Sequence, residues 1–277
     1  RFAAEGTRFP NTFCTSPVCS PSRTAIITGR HATQMGAHHM RTSAYATYDN
    51  RFDGIGEAER RPYLTVPPSH VKCFTETLRT AGYFCTNNGK TDYQFPAPFA
   101  AWDLNGKNQG LDAFHWRQRP DPDQPFFAVF NLERTHESQM WPEHGRSLET
   151  NPNDVSVPSY LPDTLEVRQA IARQYDNIAY NDQLVGRLLQ ELEDDDLVEN
   201  TVVFLWSDHG EGMPRAKRSM KDSGWRVPRM VRWPGTLKAG DVDSRLVSLV
   251  DLAPTVLSLV GQPIPADYAG VPFLGEQ

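Results

Sequence analysis

The sequence predicts an α/β fold, a mostly parallel central sheet sandwiched by helices. Three observations carry this. FFAVF at 126–130 and TVVFLW at 201–206 are continuous apolar runs of strand length, the pattern of strands buried on both faces. Between them runs a long stretch with apolar residues at helical spacing. A polar or ionisable residue follows each strand, where open α/β sheets build their ligand sites. Strands and helices alternating in this way pack as a sheet between helical layers.

The elements follow in order. RFAAEGTRFPNTF at the start reads as the tail of a helix running into a strand. Cys19 stands just before a helix start, with Pro21 in the first turn and Ser20 or Ser22 as the cap. Val71 to Ala81 has helical spacing and stops at Gly82. Tyr83 to Thr86 is a short strand. Residues 96–125 and 137–162, rich in Pro, Asp, Asn and Gly, read as long surface loops, which on such scaffolds tend to be functional. A long helix spans Thr164 to Asp195, with Asp163 as its N-cap after Pro162 and EDDD at 193–196 as a solvated end. Val227 to Val231 is a strand, and Leu246 to Val260 a helix bent at Pro254.

The 277 residues suffice for a large core and are read as a single catalytic domain, 1–277, truncated at both ends. There is no initiator Met and no signal peptide, so the missing targeting signal carries no information. Hydrophobic content of 39% and charged content of 22% are those of a soluble globular protein. A net charge of -6 argues against nucleic acid, yet a local pocket can still be positive and take an anionic small substrate. No apolar run approaches the roughly 18 residues of a membrane span. Four cysteines are too few for a disulfide scaffold, and their spacing fits no zinc pattern.

Lys90 follows YFCTNNG, His136 follows FFAVFNLERT, and Asp208 and His209 follow TVVFLWS. Each alone reads as a capping or solvent residue; their recurrence at strand ends points to a site. The most informative segment is Cys19-Ser20-Pro21-Ser22-Arg23, continuing TAIITGR to Arg30. Backbone N–H groups at a helix start, beside Arg23, favour an anion. Read from the residues alone, Cys19 is either a structural cysteine in a turn or a reactive thiol beside Arg23.

CSPSRTAIITGR resembles the signature of the formylglycine-dependent sulfatases, C-x-P-S-R followed by T-G-R, in the alkaline phosphatase superfamily. The resemblance runs along nearly the whole chain, to DLAPTVLSLVG near its end. It implies an alkaline-phosphatase/sulfatase-like fold and oxidation of Cys19 to formylglycine by a formylglycine-generating enzyme. One hydroxyl of the hydrated aldehyde would attack sulfur, and the other would later expel sulfate. Carried over by residue, Arg23 would hold the hydrate, Lys90 and Lys217 would bind sulfate oxygens, and His136 would contact sulfate or protonate the leaving oxygen. Asp208 and His209, with the residue derived from Cys19, would hold Ca²⁺, with Mg²⁺ as the alternative. Asp92, and the pair His38-His39 followed by Arg41, would line the substrate pocket; an exposed polar loop is the other reading of the histidine pair. His31, His70, His115 and His144 read as surface or structural.

Five features depart from the family pattern. The two further metal-binding Asp residues of an N-terminal strand and the C-terminal subdomain are absent. His209 stands where many members have Asn, and Asp92 replaces the histidine of G-K-W-H, which shifts proton transfer to His136. Lys221 replaces a common Tyr. The resemblance implies hydrolysis of a sulfate ester, on a sulfated carbohydrate or small molecule, in a periplasmic, extracellular or lysosomal-type compartment. A phosphoester or phosphonate hydrolase and a non-catalytic binder of sulfated glycans are the alternatives.

Overall fold

A computed structural model describes residues 1–40, 64–107, 109–140 and 145–275. Arg41 and His144 lie outside the described residues. The helices are α1 (Phe2–Glu5), α2 (Cys19–Thr28), α3 (Phe74–Thr80), α4 (Leu165–Asp194), α5 (Asp222–Trp225) and α6 (Leu252–Leu259). The strands are β1 (Thr7–Arg8), β2 (Thr12–Phe13), β3 (Phe84–Asn88), β4 (Leu104–Gly106), β5 (Phe126–Phe130), β6 (Val203–Trp206), β7 (Arg226–Val227), β8 (Arg229–Arg232) and β9 (Val247–Ser248). The chain forms two compact units. The first is Arg1–Asn11 with Asn131–Arg245, the second Thr12–Phe130 with Leu246–Gln277.

In the second unit β3 is the middle strand of a parallel sheet between β4 and β5, with Phe84 opposite Phe126 and Thr86 opposite Leu104. Every residue of β3 is buried, whereas β5, at the edge, is half-buried. Phe74 of α3 meets Phe127 edge-on at 5.2 Å, and Trp102 stacks on the same ring at 6.3 Å. Burying one such ring contributes about 1.5–3 kcal/mol. β2 pairs in parallel with β9. α2 packs against the turn Leu249–Asp251 and against α6, and Ala25, Leu249 and Leu257 are almost wholly inaccessible. All four cysteines are buried, and none is in a disulfide.

In the first unit β8 lies between β6 and β1 and is antiparallel to both. The core here is Val155, Ile171, Ala172 and Met213, which joins α4 to the segments on either side of it.

The structure moves several expected boundaries. The cap of α4 is Thr164, whose hydroxyl accepts from Val167 N–H at 3.5 Å. Asp163 is instead engaged by Arg168, 2.8 Å away. The cap of α2 is Val18 with no side-chain cap, so neither Ser20 nor Ser22 serves. The strand expected over 227–231 is split at Pro228, which has no N–H to give a ladder, into β7 and β8. Pro254 does not bend a long helix. It sits in the first turn of α6, where the helix needs no N–H from it. β4 and the buried Trp102, Leu111 and Trp116 lie inside the expected 96–125 loop. Among the described residues no helix is long and apolar enough to cross a membrane.

Candidate active site

In the second unit the predicted residues gather at the start of α2. Cys19 is its first residue and is 3% exposed. The helix's own ladder opens with Ser22 N–H donating to Val18 O at 3.2 Å. The N–H groups of Cys19 and Ser20 thus lie outside it, and Pro21 has none. This is the positive end of the helix dipole. Cys19 and Arg23 are four apart and share a helix face.

Lys90 stands just beyond the carboxyl end of β3. Arg23 Nη1 donates to Lys90 O at 3.1 Å, and Lys90 Nζ lies 2.9 Å from the Asp92 carboxylate. Burial opposes the Lys90 charge, but the nearby Asp92 carboxylate, and then Cys19, more than offset it and raise the pKa. Asp92 has a left-handed backbone, φ 53°, which Asp tolerates better than most residues. The segment is stitched to α2 by buried contacts. Ser20 Oγ donates to Gln94 Oε1 at 2.5 Å, and Gln94 N–H to Thr24 Oγ1 at 2.8 Å. At the far end of α2, Arg30 donates bidentately to Asp267 at 2.8 and 2.6 Å. Cys19, Arg23, Lys90 and Asp92 are thus brought together. His38 and His39 are exposed beyond the turn Ala32–Met35, their rings 4.2 Å apart.

In the first unit Asp208 and His209 leave the end of β6. Ser207 Oγ donates to His209 O at 2.6 Å. His209 Nδ1 lies 2.6 Å from Gly210 O, which can only accept. The proton is therefore on Nδ1, and in the neutral ring Nε2, 3.6 Å from Asp208 Oδ1, has the lone pair. A carboxylate oxygen and an imidazole nitrogen oriented in this way fit a divalent cation as a partial ligand set. A hard Ca²⁺ ion would favour the oxygen. A side chain at Gly210 would place Cβ 1.9 Å from Ser223 O, so only glycine lets this turn pass against α5.

Lys217, its side chain 3% exposed, reaches Glu137 at 3.1 Å. Arg218 donates to the same carboxylate at 2.8 and 2.9 Å. The Arg218 guanidinium, with Lys217 beside it, holds the Glu137 carboxyl at about 2 despite partial burial. A Cβ at Gly212 would lie 2.4 Å from that of Glu137, so the 211–213 backbone rests directly on it. His136 Nδ1 accepts from Ser138 N–H at 3.3 Å and lies 2.8 Å from Ser138 Oγ. Its neutral ring therefore carries the proton on Nε2, as a donor. Burial raises the Glu211 pKa. Lys221 is exposed and stands at the N-cap position of the short α5 with no side-chain cap bond.

Glu137, Gln94 and Asp267 were not among the residues singled out from sequence. Only Glu137 left a sequence signal, an acid directly after the candidate histidine.

A family model described as Sulfatase matches residues 1–262. The chain is 41% identical over 312 aligned positions to an ulvan-active sulfatase of Formosa agariphila, covering 100% of this chain and 50% of that protein. It is 25% identical to human N-acetylgalactosamine-6-sulfatase, with 97% and 58% covered. It is 27% identical to human N-sulphoglucosamine sulphohydrolase, with 93% and 54% covered. The chain thus spans about half the length of the curated relatives it matches. Among solved structures, a 2-O GAG sulfatase superposes with TM-score 0.68 at 20% identity, over 98% of this chain and 66% of that one. A phosphonate monoester hydrolase of Silicibacter pomeroyi gives 0.66 at 17%, over 98% and 69%. These likenesses show the fold, the α/β architecture of the alkaline phosphatase type.

Proposed function

We propose that this chain, which belongs to the sulfatase family, is part of an enzyme that hydrolyses a sulfate ester on a sulfated carbohydrate, with a nucleophile derived from Cys19. The observation that carries the reading is the CSPSR segment at the start of α2, with Arg23 bonded to the Lys90 carbonyl. The 41% identity to an ulvan-active sulfatase supports the carbohydrate.

Oxidised to formylglycine and hydrated, residue 19 would supply one hydroxyl to attack sulfur and a second to release sulfate. Arg23 and the first N–H groups of α2 hold negative charge at that residue. Lys90 and Lys217, each paired with its own carboxylate, bind sulfate oxygens and offset the charge that grows as the ester bond breaks. His136, with its proton on Nε2, donates a hydrogen bond to the departing oxygen. Asp208 and His209, with residue 19, would hold a divalent cation, Ca²⁺ or Mg²⁺, which supplies Lewis-acid stabilisation of a sulfate oxygen. Asp92, His38 and His39 contact the sugar. A formylglycine-generating enzyme is the maturation partner, and the compartment is periplasmic, extracellular or lysosomal.

The test is mass spectrometry of the tryptic peptide Phe9 to Arg23 from the full-length protein produced with a formylglycine-generating enzyme. It is paired with turnover of an aryl sulfate and an aryl phosphate. An aldehyde at residue 19 and preference for the sulfate are expected. A persistent thiol would remove the nucleophile and favour a binding role, and preference for the phosphate would favour a phosphoester or phosphonate hydrolase.

A further inference from the structure

A second cationic group in the first unit lies outside the residues assigned above. Arg134 stands on the turn Glu133–Thr135, two residues before His136. At a 3-10 rise of about 2 Å per residue the two positions are about 4 Å apart along the turn. Arg173 projects from α4, and Arg146 lies in the loop that leads to it. Arg146 Nη2 donates to Gln139 O at 2.8 Å and Asn177 Oδ1 at 3.4 Å. Arg173 donates to Ser147 O at 2.7 Å and to Arg146 O. Arg134 sits 4.4 Å over the ring of Tyr180, which is 42% exposed.

These partners orient the guanidiniums without neutralising them. The nearby carboxylate is Asp176, 3.8 Å from Arg173. Its oxygens also accept from Glu149 N–H, Thr150 N–H and Thr150 Oγ at 3.0, 2.9 and 2.6 Å, and its single charge offsets only one of the three guanidiniums. Among the described residues no carboxylate pairs with Arg134 or Arg146, and the buried Nε of Arg146 has no hydrogen-bond partner. Burial, then the charges of Arg134 and Arg173, lower the Arg146 pKa. Like charges held together in this way destabilise a fold unless an anion joins them. Arginine's planar fork suits oxyanions, and an exposed tyrosine offers an apolar face to a sugar ring.

We propose that Arg134, Arg146 and Arg173, flanked by Tyr180, form an anion subsite for a second acidic group, sulfate or carboxylate, on a polyanionic carbohydrate. This rests on the sulfatase reading, with His136 at the scissile group and the subsite taking a neighbouring charge on the same chain.

The test is calorimetric titration of the full-length protein with dextran sulfate and with polygalacturonate oligomers, for wild type, Arg134→Gln and Arg134→Lys. Arg134 is chosen because it packs on the Tyr180 ring and, among the described residues, its replacement breaks no side-chain hydrogen bond. Arg134→Gln should weaken binding about fivefold to twentyfold, with a shallower salt dependence, and Arg134→Lys should recover part of the loss. A loss confined to dextran sulfate assigns a sulfate subsite. A loss confined to polygalacturonate assigns a carboxylate subsite, and a loss in both assigns an unselective one. Affinities within about twofold of wild type for both polymers, or no wild-type binding to either, would overturn the proposal. Aryl sulfate turnover in the same preparation reads the hydrolase assignment separately.

Discussion

Replacing Glu137 by Gln removes one charge from the junction of Lys217 and Arg218 while keeping its shape. In the structure this carboxylate is 3.1 Å from Lys217 Nζ and 2.8 Å from Arg218. Its carboxyl is held at about 2 against an ordinary 4.5. That difference sets an upper limit of about 3 kcal/mol on the stabilisation at neutral pH. Arg218 is 61% exposed, so solvent screening reduces the figure to roughly 1–2 kcal/mol. Because the folded pKa is depressed, the contribution is complete above the unfolded value near 4.5 and is lost as pH falls towards 2. Urea unfolding of wild type and Glu137→Gln should therefore show a gap that is constant above about pH 5 and closes between about pH 4.5 and 2. The turnover rate should fall as well, since the Lys217 ammonium would lose its anchor. A variant as stable as wild type at pH 7, or a gap that ignores pH, would refute the assignment of Glu137 as counter-ion to Lys217.

Three further outcomes follow from the same geometry. Cys19→Ala should abolish aryl sulfate turnover in matured full-length protein while leaving its circular dichroism unchanged; retained turnover would sink the nucleophile. Lys90→Ala and Lys217→Ala should each lower kcat/KM about 10²–10³-fold, the scale of losing one charge-stabilising group, and losses under about tenfold in both would mean that the sulfate contacts lie elsewhere. Gly210→Ala should destabilise the protein by about 1–3 kcal/mol in thermal unfolding, because its Cβ would meet Ser223 O at 1.9 Å and α5 would have to shift. An unchanged melting temperature would contradict that close approach.

The elements that sequence made legible are those whose signal is local. FFAVF and the VFLW of TVVFLW form β5 and β6, and the long helical periodicity forms α4. Their ends were less legible, because adjacent residues compete for one role. Asp163 and Thr164 can both cap, and Thr164 does so while Asp163 binds Arg168. β4 left no signal, since Leu104–Gly106 is three residues long in a stretch rich in turn formers and is held by pairing with β3. In the candidate site, Cys19 and Arg23 were legible as a pair because four residues make one helical turn. Gln94 was not, because its contacts with Ser20 and Thr24 join positions 74 and 70 residues apart.

The residue least explained by the family pattern acquires a physical role from the same comparison of charges. Each of the two proposed sulfate-binding lysines has a carboxylate of its own, Asp92 at 2.9 Å from Lys90 and Glu137 at 3.1 Å from Lys217. Both ammonium groups are largely buried, and at Lys90 burial opposes the charge while Asp92 more than offsets it. A paired carboxylate keeps the charge in place before any anion arrives. Asp92 therefore does for Lys90 what a histidine at that position would not do at neutral pH. Such pairing also sets a threshold for binding, because an incoming oxyanion must compete with the resident carboxylate for the ammonium protons. An anion that presents several oxygens at once, to Lys90 and to other donors, competes better than one that offers a single contact.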